Sequence, residues 1–227
     1  MQENKESVHL LRNLERISSR NSIFDYKSGR KALLSPMKGN INEWLEKLLP
    51  NTRIILEPKI IGLDIGIQYI NGNLSKAINQ NRKDITEFVM SLNSIPKKII
   101  FKNRIELRGV IYIDNKTSNK NNETELLENR EFRPKLKETR FCALQIFHCN
   151  INHFQSLQEL KYMSFEIPQT QYTNFISDIE IYHQCWKEGK LFTSYPTSGL
   201  VLKINSRKLQ KYLGENNVST HWAFSIN

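Results

Sequence analysis

The sequence predicts an α+β protein, in which antiparallel strands form the sheets and helices flank them. Before Pro50, apolar residues recur every three or four positions, as in helices. From Arg53 onwards, short Ile-rich runs alternate or stay apolar, as strands do. The Asn71-Gly72 pair between two such runs favours a hairpin, because both residues accept the positive φ angles of a type I′ turn. Strands joined by a tight hairpin are antiparallel, and antiparallel strands together with helices indicate the α+β class.

Two helices are predicted before the first strand. Residues 5–20 carry apolar side chains at helical spacing, and residues 41–49 present an apolar face that begins with Trp44. Asn40 is a candidate N-cap for the second helix, and Pro50 ends it.

Strands and short helices are predicted to follow in alternation. The short helices are expected at residues 84–92 and 208–213. The strands are expected at residues 53–60, 63–70, 105–113, 140–149, 198–205 and 221–227. In residues 105–113, alternation places Ile105, Leu107 and Ile111 on one side.

The predicted domain organisation is simple, because no internal repeat or linker divides the 227 residues. Residues 1–30 are expected to form an N-terminal helix and loop extension, and residues 31–227 one domain. A polar insert is expected within that domain at about residues 114–130.

The charge of the chain favours a polyanionic partner. There are 33 Lys and Arg residues against 23 Asp and Glu residues, a formal net charge of +10. Cations gain affinity for nucleic acids by releasing counterions. The alternative is a composition set by an AT-rich genome, since Asn, Lys and Ile are all abundant.

The cysteine pattern and hydropathy predict a cytoplasmic protein with no membrane partner. The three cysteines form no CxxC pair, so they predict neither a disulfide framework nor a zinc site and suit a reducing cytosol. No run of 18 apolar residues occurs, and the N-terminus is too polar for a secretory signal.

Charged residues interrupt several predicted strands. Lys59, Glu106 and Lys203 each adjoin Ile or Leu. Burying a charge costs several kcal/mol unless it is paired or functional, although alternation allows each one to point to solvent instead. The functional interpretation therefore depends on four segments taken together and in order, residues 57–62, 106–109, 199–205 and 221–227.

In that order, these segments resemble the adenylation (nucleotidyltransferase) domain of the bacterial NAD-dependent DNA ligases. The family's Glu-x-Lys-x-Asp-Gly motif, with its following strands and Asn-Gly hairpin, is similar to residues 56–77. Its Glu-Val-Arg-Gly-Glu and Asp-Gly-Val-Val-x-Lys motifs are similar to residues 106–110 and 198–203. The Trp-Ala of its fifth motif matches residues 222–223, and the resemblance covers about residues 30–227.

The resemblance implies an ATP-grasp-like nucleotidyltransferase fold and two catalytic lysines. Lys59 corresponds to the nucleophile that attacks the α-phosphorus of NAD and forms a lysyl-AMP for DNA strand joining in replication and repair. A lysine attacks only when unprotonated, and burial beside cations lowers its pKa. Lys203 corresponds to the residue that neutralises the phosphate as charge develops.

The resemblance also implies a set of binding residues. Glu57 is expected near the adenine amino group, Glu106 at the ribose hydroxyls, and the Ser35 backbone near adenine. Gly62 is expected to let the backbone pass close to its neighbours. Lys190 falls near a phosphate-contacting arginine of the family, where it offers a point charge without a bidentate fork.

Several positions depart from the family pattern. The second-motif loop is short, its arginine position holds Gln80, and Arg82 is the candidate substitute. Acids of the family are replaced by Ile61, Val110 and Ser198. The lysine of its fifth motif falls on Asn227, and its adenine-stacking aromatic falls at or near Ala143.

The cofactors and partners implied are NAD, Mg²⁺ that arrives with the nucleotide, and nicked DNA or another nucleic acid. The family's N-terminal helical domain, oligonucleotide-binding barrel and later modules have no counterpart in these residues, so a second chain is expected to supply oligonucleotide-binding modules.

The five histidines show no metal-ligand spacing and are interpreted as structural or surface residues: His9, His148, His153, His183 and His221.

Two main classes of function remain open. The retained Lys59, Glu57, Glu106 and Lys203 favour an enzyme. The replaced polar positions favour a catalytically impaired module that binds a nucleotide or nucleic acid. A structural remnant with no ligand is a third option, against which the basic charge argues.

Overall fold

The computed structural model describes residues 22–24, 33–114 and 139–227. The helix predicted at residues 5–20 and most of the polar insert lie outside the described residues. The helices are α1 (Ile41–Leu45), α2 (Thr86–Ser91), α3 (His153–Tyr162), α4 (Ile176–Lys187) and α5 (Arg207–Leu213). The strands are β1 (Ser35–Met37), β2 (Ile54–Ile60), β3 (Leu63–Ile70), β4 (Asn73–Asn79), β5 (Ile105–Ile113), β6 (Thr139–Ile146), β7 (Gln171–Thr173), β8 (Thr197–Ile204) and β9 (Ser219–Ile226).

The described strands form two sheets. One has five strands in the order β1-β9-β8-β2-β7, and the other has four in the order β4-β3-β5-β6. Every pairing is antiparallel except that of β1 with β9, which is parallel. The predicted α+β class with antiparallel sheets and flanking helices is therefore confirmed.

The β3–β4 hairpin turns at Asn71 and Gly72. Their φ angles are 52° and 78°, which is the positive pair that a type I′ turn needs. The turn places Ile70 opposite Asn73 and Tyr69 opposite Leu74, and the predicted hairpin is confirmed.

The first hydrophobic core lies between the four-stranded sheet and helices α2 and α3. Ile105, Leu107 and Ile111 of β5 contribute to it, so the predicted alternation is confirmed. Val89 of α2 is fully buried there, and Leu157 of α3 packs into the same core. Because this face of β5 is apolar, the intervening Glu106 and Arg108 are directed away from it.

The second core covers the five-stranded sheet and includes Trp44 of α1 and Ile179 of α4. Leu56 of β2 and Leu202 of β8 lie opposite each other in the ladder and are both fully buried in it. Tyr112 of β5 also belongs to this core, so the four-stranded sheet contacts the five-stranded one.

Helix α1 is shorter than predicted. Asn40 is its N-cap, as expected, and its side chain accepts a hydrogen bond from the Asn42 backbone at 3.0 Å. The helix ends at Leu45, after which the Leu48 N–H bonds the Leu45 carbonyl in a tighter, i to i+3 pattern. Among the described helices, none is long and apolar enough to cross a membrane.

Candidate active site

A cavity of about 770 Å³ opens where the two sheets face each other. Residues 57–60 of β2 line it, and they include the charged Glu57 and Lys59, while Leu56 is in the second core. Lys203 of β8 lines it from the same sheet, and Arg108 of β5 from the other. The charged side chains of both sheets thus meet at this cavity, next to the apolar core.

Glu57 is the centre of a buried cluster at the inner end of this cavity. Its Oε2 accepts from the Lys203 ammonium at 2.7 Å, and its Oε1 lies 2.5 Å from His153 Nε2. The exposed fractions are 1% for Glu57, 4% for His153 and 7% for Lys203. The Lys203 ammonium also donates to the Leu144 carbonyl at 3.2 Å. We call Glu57, His153 and Lys203 the buried cluster.

The buried cluster keeps Glu57 ionised. Burial alone would raise the pKa of Glu57, but the Lys203 charge and the His153 ring overcome it and lower the pKa to about 2. The pKa of His153 is lowered, first by burial and then by the Lys203 charge. A neutral His153 and an ionised Glu57 are therefore the forms present near neutral pH.

Lys59 lies at the outer, more exposed end of β2. Its Nζ donates to Asn227 Oδ1 at 2.7 Å, and the side chain is only partly buried. Burial and then the neighbouring Lys38 charge lower the pKa of Lys59. The amine is thereby easier to deprotonate than an ordinary lysine, as a nucleophile requires.

The Glu106 carboxylate is saturated by protein donors. It accepts from Ser22 Oγ at 2.6 Å, Ile23 N at 3.0 Å and Gln68 Nε2 at 3.1 Å, and Arg104 Nη2 lies 2.6 Å away. Burial raises its pKa, but these hydrogen bonds outweigh burial and lower it. Ser22 and Ile23 line the cavity whereas Glu106 does not, so a ribose at Glu106 would have to replace them as donors.

Three further predicted residues lie at or near the cavity. Ser35 lines it, with its N–H donating to the Val218 carbonyl at 3.1 Å. Arg82 also lines it, and its Nη1 donates to the Ile23 carbonyl at 2.9 Å. Gly62 approaches the β5 backbone so closely that an added Cβ would lie 2.2 Å from the Ile111 carbonyl oxygen.

Lys190 is not brought to the cavity. It follows α4 on the exposed surface and pairs with Glu188 at 2.6 Å. Glycine at position 189 turns the chain there, with φ of 68°. In this structure Lys190 therefore contacts neither the buried cluster nor Lys59.

Four of the positions that depart from the family pattern divide into two groups. Ser198 and Val110 line the cavity, and Asn227 contacts Lys59 directly. Ala143 instead belongs to the first core, while the adjacent Leu144 lines the cavity. Leu144 is thus the apolar side chain available to a ligand near the predicted aromatic position.

Sequence reasoning missed His153 as a site residue. It is separated from Glu57 by 96 positions, and its local sequence has no ligand spacing that would have identified it. It also missed Lys38 and the ion pair of Arg108 with Asp64, whose Nη2 and Oδ2 are 2.8 Å apart. The apolar β-strand context drew attention to Lys59 and Lys203, because a buried charge needs a partner, whereas Glu57 was identified only through the family resemblance.

The cavity fits a phosphorylated nucleotide. Seven Lys or Arg residues line it against three Asp or Glu residues, so its field favours an anion. Its volume lies in the range of small-molecule sites. Within the described residues, no group of three or more His, Cys, Asp or Glu is placed to hold a metal ion, and magnesium remains a prediction.

Comparison with protein families gives one match. Residues 30–143, about half of the chain, match the model described as NAD-dependent DNA ligase adenylation domain.

Curated relatives agree with this match. The chain is 26% identical to a DNA ligase of Prochlorococcus marinus strain NATL2A, over 85% of this chain and 33% of that protein. It is 29% identical to a DNA ligase of Metamycoplasma arthritidis, over 80% of this chain and 31% of that protein. The chain thus spans about a third of the length of the curated relatives it matches.

Solved structures show the same fold. A structure from work on Lig E DNA ligases, concerned with DNA binding by a minimal scaffold, matches with a TM-score of 0.57 and 10% identity, over 86% of this chain and 68% of that one. A mycobacterial DNA ligase D complexed with ATP matches with a TM-score of 0.54 and 10% identity, over 88% and 61%. At this identity, the likeness establishes the nucleotidyltransferase fold of DNA ligases and nothing finer.

Proposed function

This chain belongs to the family of NAD-dependent DNA ligase adenylation domains, and we propose that it transfers AMP from NAD to Lys59 as a step towards DNA strand joining. The observation that carries the proposal is the state of Lys59. It lines a cation-rich cavity, and burial together with Lys38 lowers its pKa.

The chemistry begins when the Lys59 ammonium gives a proton to water. Its neutral Nζ forms a bond to the α-phosphorus of NAD, while the bond to the bridging pyrophosphate oxygen breaks and nicotinamide mononucleotide leaves. Nζ then gives a second proton to water, which leaves lysyl-AMP. The Asn227 amide, 2.7 Å from Nζ, orients the amine without adding a charge that would hold its proton. A neutral partner suits a nucleophile better than a carboxylate would.

Lys203 and Glu57 have linked roles in this proposal. Lys203 supplies positive charge from the cavity wall for the phosphate, and its contact with Glu57 keeps that carboxylate ionised. Glu57 then accepts a hydrogen bond from the adenine amino group. Ser35 and Arg82 line the same cavity and contribute to nucleotide binding, while Glu106 binds the ribose after exchange of its present donors.

Complete nick sealing is proposed to need further modules. The matched relatives are about three times longer than this chain, and a second chain would supply the oligonucleotide-binding part. The chain itself would divide into an extension at residues 1–30 and a domain at residues 31–227, with nicked DNA as partner and Mg²⁺ accompanying the nucleotide.

The direct test is protein labelling. The chain is incubated with magnesium and NAD labelled in the adenylate phosphate, or with ATP labelled in the same position, and run on a denaturing gel. Wild type should retain label from NAD, and Lys59→Arg should retain none because arginine keeps its proton.

The outcomes separate the candidate functions. Label from ATP alone would replace NAD as the donor. Absence of label from both donors in folded protein, with a salt-dependent shift of nicked duplex, would select the binding module instead. Label that survives Lys59→Arg would disprove the assignment of the nucleophile.

A further inference from the structure

Glu57 is held by donors from two different elements. Lys203 reaches its Oε2 from β8, the strand paired with β2, whereas His153 reaches its Oε1 from α3. Both carboxylate oxygens are therefore fixed, and the carboxylate plane cannot rotate without losing one of the two bonds. The Lys203 contact follows from strand pairing, but the His153 contact needs its own explanation.

His153 is the first residue of α3, and its position is set by the start of that helix. Asn152 and Gln155 form a capping box. The His153 N–H donates to the Asn205 carbonyl at 2.9 Å, and the Phe154 N–H donates to Asn205 Oδ1 at 2.9 Å. The ring thus extends from a helix start that is anchored at the end of β8, which gives it little freedom to move.

The proton on His153 can be placed by chemistry. An ionised carboxylate only accepts hydrogen bonds, so the Nε2 atom that faces Glu57 must carry the hydrogen and donate it. With one donor on each oxygen, the lone pairs left on Glu57 can only accept. A carboxylate in this state binds an amino group and is repelled by a carbonyl oxygen.

We propose that His153 is a positioning residue that fixes Glu57 as an acceptor and so makes the cavity select a base with an exocyclic amino group over one with a carbonyl. The inference rests on the proposed function to the extent that the ligand is a nucleotide in this cavity. It goes further by assigning the selectivity to a residue of α3 that touches Glu57 and not the nucleotide.

A residue that only stabilises the fold would behave differently. Its loss would weaken binding of all nucleotides by a similar factor. Loss of the positioning residue lets Glu57 rotate or take up a proton, and a protonated carboxyl can donate to a carbonyl. The ratio of affinities for the two kinds of base therefore changes only if His153 acts through Glu57.

The test uses AMP and IMP, which differ in carrying an amino group or a carbonyl at one position of the base. Titration calorimetry on the full chain gives both dissociation constants for wild type, His153→Phe and His153→Gln. Wild type should bind AMP more tightly, and His153→Phe should reduce that preference about tenfold or more, as for loss of a hydrogen bond to a charged group. His153→Gln, which retains an N–H donor, should keep most of the preference.

His221→Phe is the matched control, because this histidine lies outside the cavity and bonds the Leu213 carbonyl at 3.2 Å. It should leave the AMP preference unchanged. An equal loss for both nucleotides in His153→Phe, or wild type that binds them equally or binds neither, would overturn the proposal. Since binding needs no reaction at Lys59, a preference for AMP without any protein label would sustain this inference while the proposed function fails.

Discussion

Lys59 and Lys203 line the same cavity from neighbouring strands, yet their surroundings are opposite. Lys203 is 7% exposed and contacts the Glu57 carboxylate at 2.7 Å. Lys59 is more exposed, has the neutral Asn227 amide as its partner and has the cation Lys38 nearby. The inner end of the cavity pairs the Lys203 and Glu57 charges, whereas the outer end lowers the pKa of Lys59 and so eases the loss of its proton.

This contrast separates recognition from chemistry. At the inner end, the buried cluster is fully paired, so it can define the shape and polarity of a ligand. At the outer end, Lys59 has few fixed partners, so it can exchange its proton and reach a phosphorus atom. Substitutions at the two ends of the cavity should therefore have different consequences.

Breaking the inner end should be costly. Lys203→Met leaves the Glu57 carboxylate buried with His153 alone, and removal of one member of a buried pair costs about 3–5 kcal/mol of unfolding free energy. Urea unfolding monitored by circular dichroism measures this. Lys190→Met, which removes an exposed pairing with Glu188, should be indistinguishable from wild type. Equal midpoints for the two variants would contradict the contrast.

The inner end should also be sensitive to acid. The pKa of Glu57 in the folded state is about 2, below its ordinary value of 4.5. Its contribution is therefore complete above about pH 4.5 and is lost as the pH falls towards 2, by about 3 kcal/mol at most. The difference in unfolding free energy between wild type and Glu57→Gln should shrink over that range. A difference that is constant with pH would disprove the ionised, paired state.

The outer end should be adaptable in its side chains but not in its backbone. Gly62 follows Lys59 closely, and an added Cβ would meet the Ile111 carbonyl oxygen at 2.2 Å. Because that oxygen belongs to β5, Gly62→Ala should cost about 1–3 kcal/mol through overpacking. Thermal unfolding measures this, and an unchanged midpoint would show that the outer end is flexible throughout.

The smallest predicted effect concerns the proton on Lys59. Burial lowers its pKa most, and the Lys38 charge lowers it further. Lys38→Met removes only the second cause, so the pKa of Lys59 should rise. A given rate of protein labelling should then be reached only at a higher pH. Rates of labelling across a pH series measure the shift. A shift to lower pH, or none, would show that Lys38 does not act on the nucleophile.

Much of the fold follows from local patterns in the sequence. The Ile-rich strands β2, β3 and β5 and the Asn71-Gly72 turn were predictable, because period-2 burial and turn chemistry are local properties. The three-residue strand β1 was not, since it is too short to show a period. Helices α3 and α4 were also missed, and α4 buries only Ile179, so its apolar pattern is weak.

The site was predictable through the order of the four segments, since a single charge in an apolar strand could instead point to solvent. Lys59, Glu57 and Lys203 interrupt apolar runs, and the structure brings all three to one cavity. The contact of Glu57 with His153 spans 96 positions, and that of Glu106 with Ser22 spans 84. Such contacts arise from packing of distant elements, and no local spacing encodes them.

The assignment of Lys59 as the residue that becomes adenylated can be tested directly. Wild type and Lys59→Arg are incubated with NAD and magnesium, and the intact mass of each protein is measured. Proteolysis and tandem mass spectrometry then locate the modified residue. Wild type should carry one AMP per chain, located at Lys59, and the variant should carry none. AMP on another lysine, such as Lys38, or no adduct on folded wild type, would contradict it.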